Sequence, residues 1–176
     1  NINTYLARSQ TTGVSGDDSS YQAQFNYTGD RWGVMAERVG VGANFRPEVG
    51  FLGRDDFRRN YAELRFSPRP LSITSVRKFS FEGSVDYTTD GAGMLETRLQ
   101  QGLFSIEMQN GDWFFAGVTD SYESLKNVFE ITPEINIPTG RYSFVNTKMV
   151  YALGMQRVIS GGLAFEHGGF FGGERT

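Results

Sequence analysis

Strict alternation constrains this chain more than any other feature. In Val76 to Thr88, "VRKFSFEGSVDYT", Phe79, Phe81, Val85 and Tyr87 fall on one side, and Lys78, Ser80, Glu82, Ser84 and Asp86 on the other. Side chains alternate across a strand but spiral around a helix, so a period of two makes this segment a strand with an apolar and a polar face. Tyr21 to Thr28, "YQAQFNYT", repeats the pattern with aromatic against amide side chains. Which face is turned inward decides what the protein is.

Continuing along the chain, the pattern predicts strands at 2–10, 21–28, 31–39, 58–67, 76–88, 95–109, 112–122, 141–153 and 157–167, about nine in all. No amphipathic helix interrupts them. Asn110-Gly111 is the strongest hairpin signal, since both residues accept the positive φ of a tight turn. Within 95–109 the alternation changes phase near Gly102, which predicts a bulge and leaves the faces of Glu96, Arg98 and Glu107 open. Tight turns are expected at Gly29-Asp30, Asn110-Gly111 and Gly154-Met155-Gln156. Longer connections are expected at 11–20, 40–57, 89–94 and 123–140, with 68–75 intermediate.

Composition narrows the function. The 176 residues carry a net charge of -3, which implies no nucleic-acid partner. There is no cysteine and one histidine, so thiolate and multi-histidine metal centres are excluded. Fifteen Phe, eight Tyr and 22 Gly fit an all-β chain. No apolar run reaches the ~18 residues of a membrane helix, but strands of a membrane barrel are half polar and escape that criterion. Neither a Walker loop, a dinucleotide fingerprint nor G-x-S-x-G is present. His167 beside Glu166 lacks a nucleophile, so no enzyme, cofactor or metal is expected.

Two folds satisfy the alternation. The first is an antiparallel up-and-down transmembrane β-barrel. It accounts for the strand lengths, since a tilted strand needs about 9–11 residues to span a bilayer, and for short turns at one end opposite longer loops at the other. The aromatic face then meets lipid, and Tyr21, Tyr27, Trp32, Tyr87, Trp113, Tyr142 and Tyr151 near strand ends form interfacial girdles. The second is a soluble sandwich or ligand-binding barrel, in which the aromatic face is the core.

Three stretches bear on the choice: "NFRPEVGFLGRDDFRRNYAELRFSPRP" (44–70), "GMLETRLQQGLFSIEMQNGDWF" (93–114), and "IPTGRYSF" with the ending "GGFFGGERT". In order and content they resemble a family of bacterial outer-membrane proteins. In that family a β-barrel domain of unknown function follows a carbohydrate-binding-like sandwich. The resemblance implies a porin-like barrel in the outer membrane of a Gram-negative bacterium, related to carbohydrate through the sandwich that this chain lacks. It brings no catalytic residues. Residues 1–176 are then one barrel domain, expected to be part of a larger barrel completed by further strands or by subunits of an envelope complex.

The expected function is passage or surface binding of a polar solute. The alternatives are a structural anchor or envelope subunit without transport, and a soluble small-ligand binder. Candidate lumen residues are Lys78, Glu82 and Asp86 with Glu63 and Arg65 on the neighbouring strand; the competing reading is cross-strand charge pairing that stabilises the wall. Phe79, Phe81, Val85 and Tyr87 are the lipid-facing candidates. Arg46, Glu48 and Arg54 are candidates for a recognition loop, against a reading in which Phe45 and Phe51 simply pack the loop. Asp17-Asp18 and Asp55-Asp56 are read as solvated acids, because their spacing matches no calcium loop.

Overall fold

The computed structural model describes residues 1–47, 50, 52–133 and 135–176. Among them the chain is all β. The strands are β1 (Ile2–Arg8), β2 (Ser19–Thr28), β3 (Trp32–Val41), β4 (Phe57–Phe66), β5 (Val76–Asp90), β6 (Leu95–Met108), β7 (Trp113–Leu125), β8 (Phe129–Thr132), β9 (Ile135–Ile137), β10 (Gly140–Ala152), β11 (Gly162–Phe170) and β12 (Gly173–Arg175). Ten form one antiparallel sheet in the order β1-β2-β3-β4-β5-β6-β7-β10-β11-β12, while β8 and β9 pair only with each other. The main sheet is therefore an up-and-down meander in which β1 and β12 are edges and do not pair.

Several boundaries differ from those expected. β5 runs on through Thr88-Thr89-Asp90, so the expected long connection after it shrinks to 91–94. The 123–140 connection contains the β8–β9 hairpin. The turn at 154–156 is the first part of a connection spanning 153–161, and β11 begins at Gly162 rather than Arg157. Loop lengths at the two ends are thus less segregated than the alternation implied. Asn110-Gly111 makes its tight turn, but only Gly111 takes positive φ, at 80°, and Asn110 does not. No bulge occurs at Gly102. It stands directly opposite Gly83, and the β5–β6 register shifts fall between Val76 and Lys78 and between Thr88 and Thr89.

Burial shows which face is enclosed. β4 alternates from Phe57 to Arg65: Arg59, Tyr61, Glu63 and Arg65 are half-buried, and Arg58, Asn60, Ala62 and Leu64 are exposed. On β5 and β2 the polar phase is likewise half-buried or buried except at Thr28. Opposite it, Gly83, Phe81, Tyr87, Ala23, Phe25 and Tyr27 are exposed, while Phe79, Val85 and Tyr21 are half-buried. The polar side is the enclosed one, and the apolar side lies open. Val41 and Ile137 are the buried apolar residues among those described, whereas Phe25, Leu64, Phe81, Val118 and Phe165 are all exposed. The accessible surface is 11828 Å², against about 8,600 Å² for a compact monomer of this mass. Among the described residues only Val41 and Ile137 are buried apolar side chains, so the sheet encloses almost no hydrophobic core and its aromatic side is not an interior.

Candidate functional site: the enclosed charged face

On the enclosed side of β3, β4 and β5, three charged residues interlock. Arg59 Nη1 donates to Glu37 Oε2 at 3.0 Å. Its Nε donates to both Asp86 oxygens at 2.9 Å, and its Nη2 reaches Asp86 Oδ2 at 2.5 Å. The register places these groups: Arg59 stands opposite Val39 and Thr88, so Glu37 and Asp86 are its diagonal neighbours. Gln22 Nε2 continues the chain from β2 by donating to Glu37 Oε1 at 2.5 Å. The Arg59 guanidinium also lies over the Tyr61 ring, 5.5 Å from its centroid.

One turn of the pleat away, the Tyr61 hydroxyl donates to Glu63 Oε2 at 2.5 Å. Arg65 stands opposite Glu82. It donates to the Ser67 hydroxyl at 2.7 Å and to the Gly29 carbonyl at 2.8 Å, lying over Gly33, where a Cβ would come within 3.0 Å of Nε. Lys78 pairs with Glu107 at 2.6 Å. All five lumen candidates (Lys78, Glu82, Asp86, Glu63 and Arg65) therefore share the enclosed face; Lys78 and Asp86 are ion-paired across strands, and Glu63, Arg65 and Glu82 form no ion pair among the described residues. Phe79, Phe81, Val85 and Tyr87 share the opposite, open face.

The enclosed face is not uniformly polar. From β6 onward it carries Leu99, Leu103, Phe115, Phe144 and Val150, as the register requires. Trp113 and Tyr142, expected in an outward girdle, point to this side, because Trp113 pairs with Glu107 and Tyr142 with Glu123. One wall is thus charged, and the other mixes these apolar side chains with polar ones such as Gln101, Glu107, Glu123, Lys148 and Glu166. The phase change at Gly102 reflects this difference in chemistry, with Gln100 and Arg98 outward and Leu103 and Leu99 inward.

The open face carries an apolar belt. Trp32, Phe66, Phe81, Phe104, Ala116, Met149 and Phe165 each stand directly opposite the next. Ring centroids are 4.4 Å apart for Trp32–Phe66 and 5.0 Å for Phe81–Phe104. Towards the end bearing the 42–56 loop, polar residues close the belt at a height that falls along the sheet. Arg38 and Asn60 mark it on β3 and β4, Gln100 and Asp120 on β6 and β7, and Thr147 and His167 on β10 and β11. The belt thus crosses the hydrogen-bonded rows obliquely. A level band must do so when strands tilt by about 35–45°.

The loop candidates are engaged at the rim. Arg46 pairs with Asp55 at 3.1 Å, and Arg54 with Glu96. Glu48 and Phe51 lie outside the described residues. Asp18 pairs with Arg8 at 2.9 Å, and no group of three metal-ligating side chains occurs among the described residues. His167 is on the open face, beside Phe165.

At the opposite end, Asp112 is buried beside the β6–β7 turn. It accepts from Gly154 N at 2.9 Å, Tyr151 hydroxyl at 3.0 Å, and Arg157 Nε and Nη2 at 3.0 and 2.6 Å. The Gly154 amide first, then Tyr151 and Arg157, hold its carboxyl below the usual range. Sequence reading passed over Glu37, Arg59 and Asp112. The first two sit on the polar phase of their strands and could have been picked out as facing charges, but only the register makes them partners.

Comparison with family models, with curated proteins and with solved structures finds no match for this chain.

Proposed function

We propose that this chain forms part of the wall of an outer-membrane β-barrel, with its aromatic face against lipid and its charged face lining a passage or binding site for a polar solute. One observation carries the reading: the apolar face is open along the sheet while the ionised face is enclosed. In water this arrangement leaves a large aromatic surface without a partner; in a bilayer it is the stable one. The unpaired edges of β1 and β12 support a wall completed by further strands or subunits, since unpaired backbone groups in hydrocarbon cost several kcal/mol each. The family resemblance of the three motif stretches agrees with this and adds carbohydrate as a candidate solute class.

The test is membrane fractionation of the native protein with heat-modifiable gel migration. Recovery in the outer membrane, with a folded band that shifts on boiling, is the expected result. Recovery in the soluble fraction overturns the reading.

A structural subunit of an envelope complex is the second reading. The pairing of Arg59 with Glu37 and Asp86, and of Lys78 with Glu107, favours it, because such pairs brace a wall without needing a solute. Planar-bilayer conductance separates the two: a passage conducts and an anchor does not.

A further inference from the structure

We propose that the open face of β2–β4, at the end bearing the 42–56 loop, binds the phosphate of an anionic membrane lipid through Arg38 and Arg58. The inference rests on the barrel reading above and adds a partner to its outer surface.

The register puts Arg8, Arg38, Arg58, Arg98 and Arg141 on the open face, all beyond the apolar belt on the same side. Arg8 is paired with Asp18, and Arg98 with Asp120. Among the described residues, neither Arg38 nor Arg58 takes part in an ion pair. Both are exposed.

The two are organised around one tyrosine. Arg38 Nε donates to the Tyr21 hydroxyl at 3.5 Å. The Tyr21 ring lies flat over Gly40, where a Cβ would come within 2.4 Å of it. Gly40 stands directly opposite Arg58. The Tyr21 hydroxyl therefore sits at the level of Arg58 while holding Arg38. The two guanidiniums start from diagonal positions on adjacent strands, roughly 7 Å apart. Arginine side chains starting at that spacing are long enough to converge on one phosphate, and guanidinium binds phosphate in a geometrically fixed way.

The surroundings favour a lipid-borne phosphate over a dissolved one. Asp17 and Asp56, from the loops above, line the same cleft as Tyr21 and Arg58. These carboxylates repel anions arriving from the aqueous side. The approach from the belt, past Ala36, Phe25 and Ala62, is uncharged. A headgroup anchored by chains lying on that apolar surface presents its phosphate from there.

The full chain, folded in zwitterionic detergent micelles, is titrated with phosphatidic acid, phosphatidylcholine and inorganic phosphate, with bound lipid counted by native mass spectrometry. Wild-type protein is expected to retain phosphatidic acid about tenfold more strongly than phosphatidylcholine, whose charge the choline masks. The R38Q/R58Q variant should lose that preference. Arg77→Gln, exposed at the other end of β5, should keep it. R38K/R58K, which retains charge, should bind phosphatidic acid better than R38Q/R58Q. Unchanged retention in R38Q/R58Q overturns the inference, as does full displacement by equimolar inorganic phosphate. Failure of the wild type to enter micelles in a heat-modifiable form instead overturns the barrel reading beneath it.

Discussion

Arg59 holds Asp86 through both oxygens, with Nε at 2.9 Å from each. The same guanidinium reaches Glu37 at 3.0 Å, so one cation ties three consecutive strands together. Removing the arginine strands two half-enclosed carboxylates beside each other. Arg59→Ala is expected to destabilise the folded state by about 1–3 kcal/mol, with Asp86→Asn in the same chain recovering part of the loss. Urea unfolding of the two single variants and the double variant in lipid vesicles measures the coupling; additive effects would show that the contact is not energetically real.

Phe81 and Ser84 lie on opposite faces of β5, three residues apart. An arginine at Phe81 should cost about 2–4 kcal/mol in a bilayer, as for a cation near the midplane of a barrel's lipid face. Ser84→Arg, on the enclosed side, should cost much less. Equal tolerance at both sites, read by folding yield into vesicles, would reverse the assignment of faces.

Lys78 and Glu82 share the enclosed face with Asp86. If that face lines an aqueous passage, Lys78→Glu should shift ion selectivity towards cations, and Glu82→Lys towards anions. Reversal potentials under a salt gradient across a planar bilayer report both. Selectivity unmoved by either reversal would leave the wall-bracing role of these charges.

Asp112 sets an acid limit. Its folded-state pKa lies below the ordinary 3.8 because Gly154 N, Tyr151 and Arg157 all stabilise the carboxylate. A lowered folded value means that the stabilisation is complete above the unfolded pKa and is lost as pH falls from about 4 through the lower folded value. Thermal unfolding at pH 6 and at pH 3 should therefore differ less in Asp112→Asn than in the wild type. A pH response identical in the two proteins would remove Asp112 from the account.

The strands and their two faces were legible because period-two alternation is a local property. Lys78 to Thr88 carries it in full, and the side of every residue there follows from counting. The ends of elements were less legible. Thr88-Thr89-Asp90 reads as a loop by composition, yet pairing with β4 and β6 extends β5 through it. The β8–β9 hairpin was hidden because its strands are too short for alternation to register. The inward turn of Trp113 and Tyr142 was missed for another reason. Aromatic residues near strand ends fit a girdle by type, but their side is fixed by cross-strand partners. Glu37, Arg59 and Asp86 show the same limit: their spacing in sequence says nothing of a triad that only two registers create.

Apart from the β8–β9 insertion between β7 and β10, each strand of the main sheet pairs with the one that follows it in the chain. Such a sheet can assemble by successive hairpin closure, each step adding a short loop rather than a long-range search. The longest wait then falls where the chain must fold a separate hairpin before β10 can dock on β7. A pulse-labelled amide-exchange experiment should find β4–β7 protected before β10 and β11, making the 126–139 connection the kinetic hinge of the molecule.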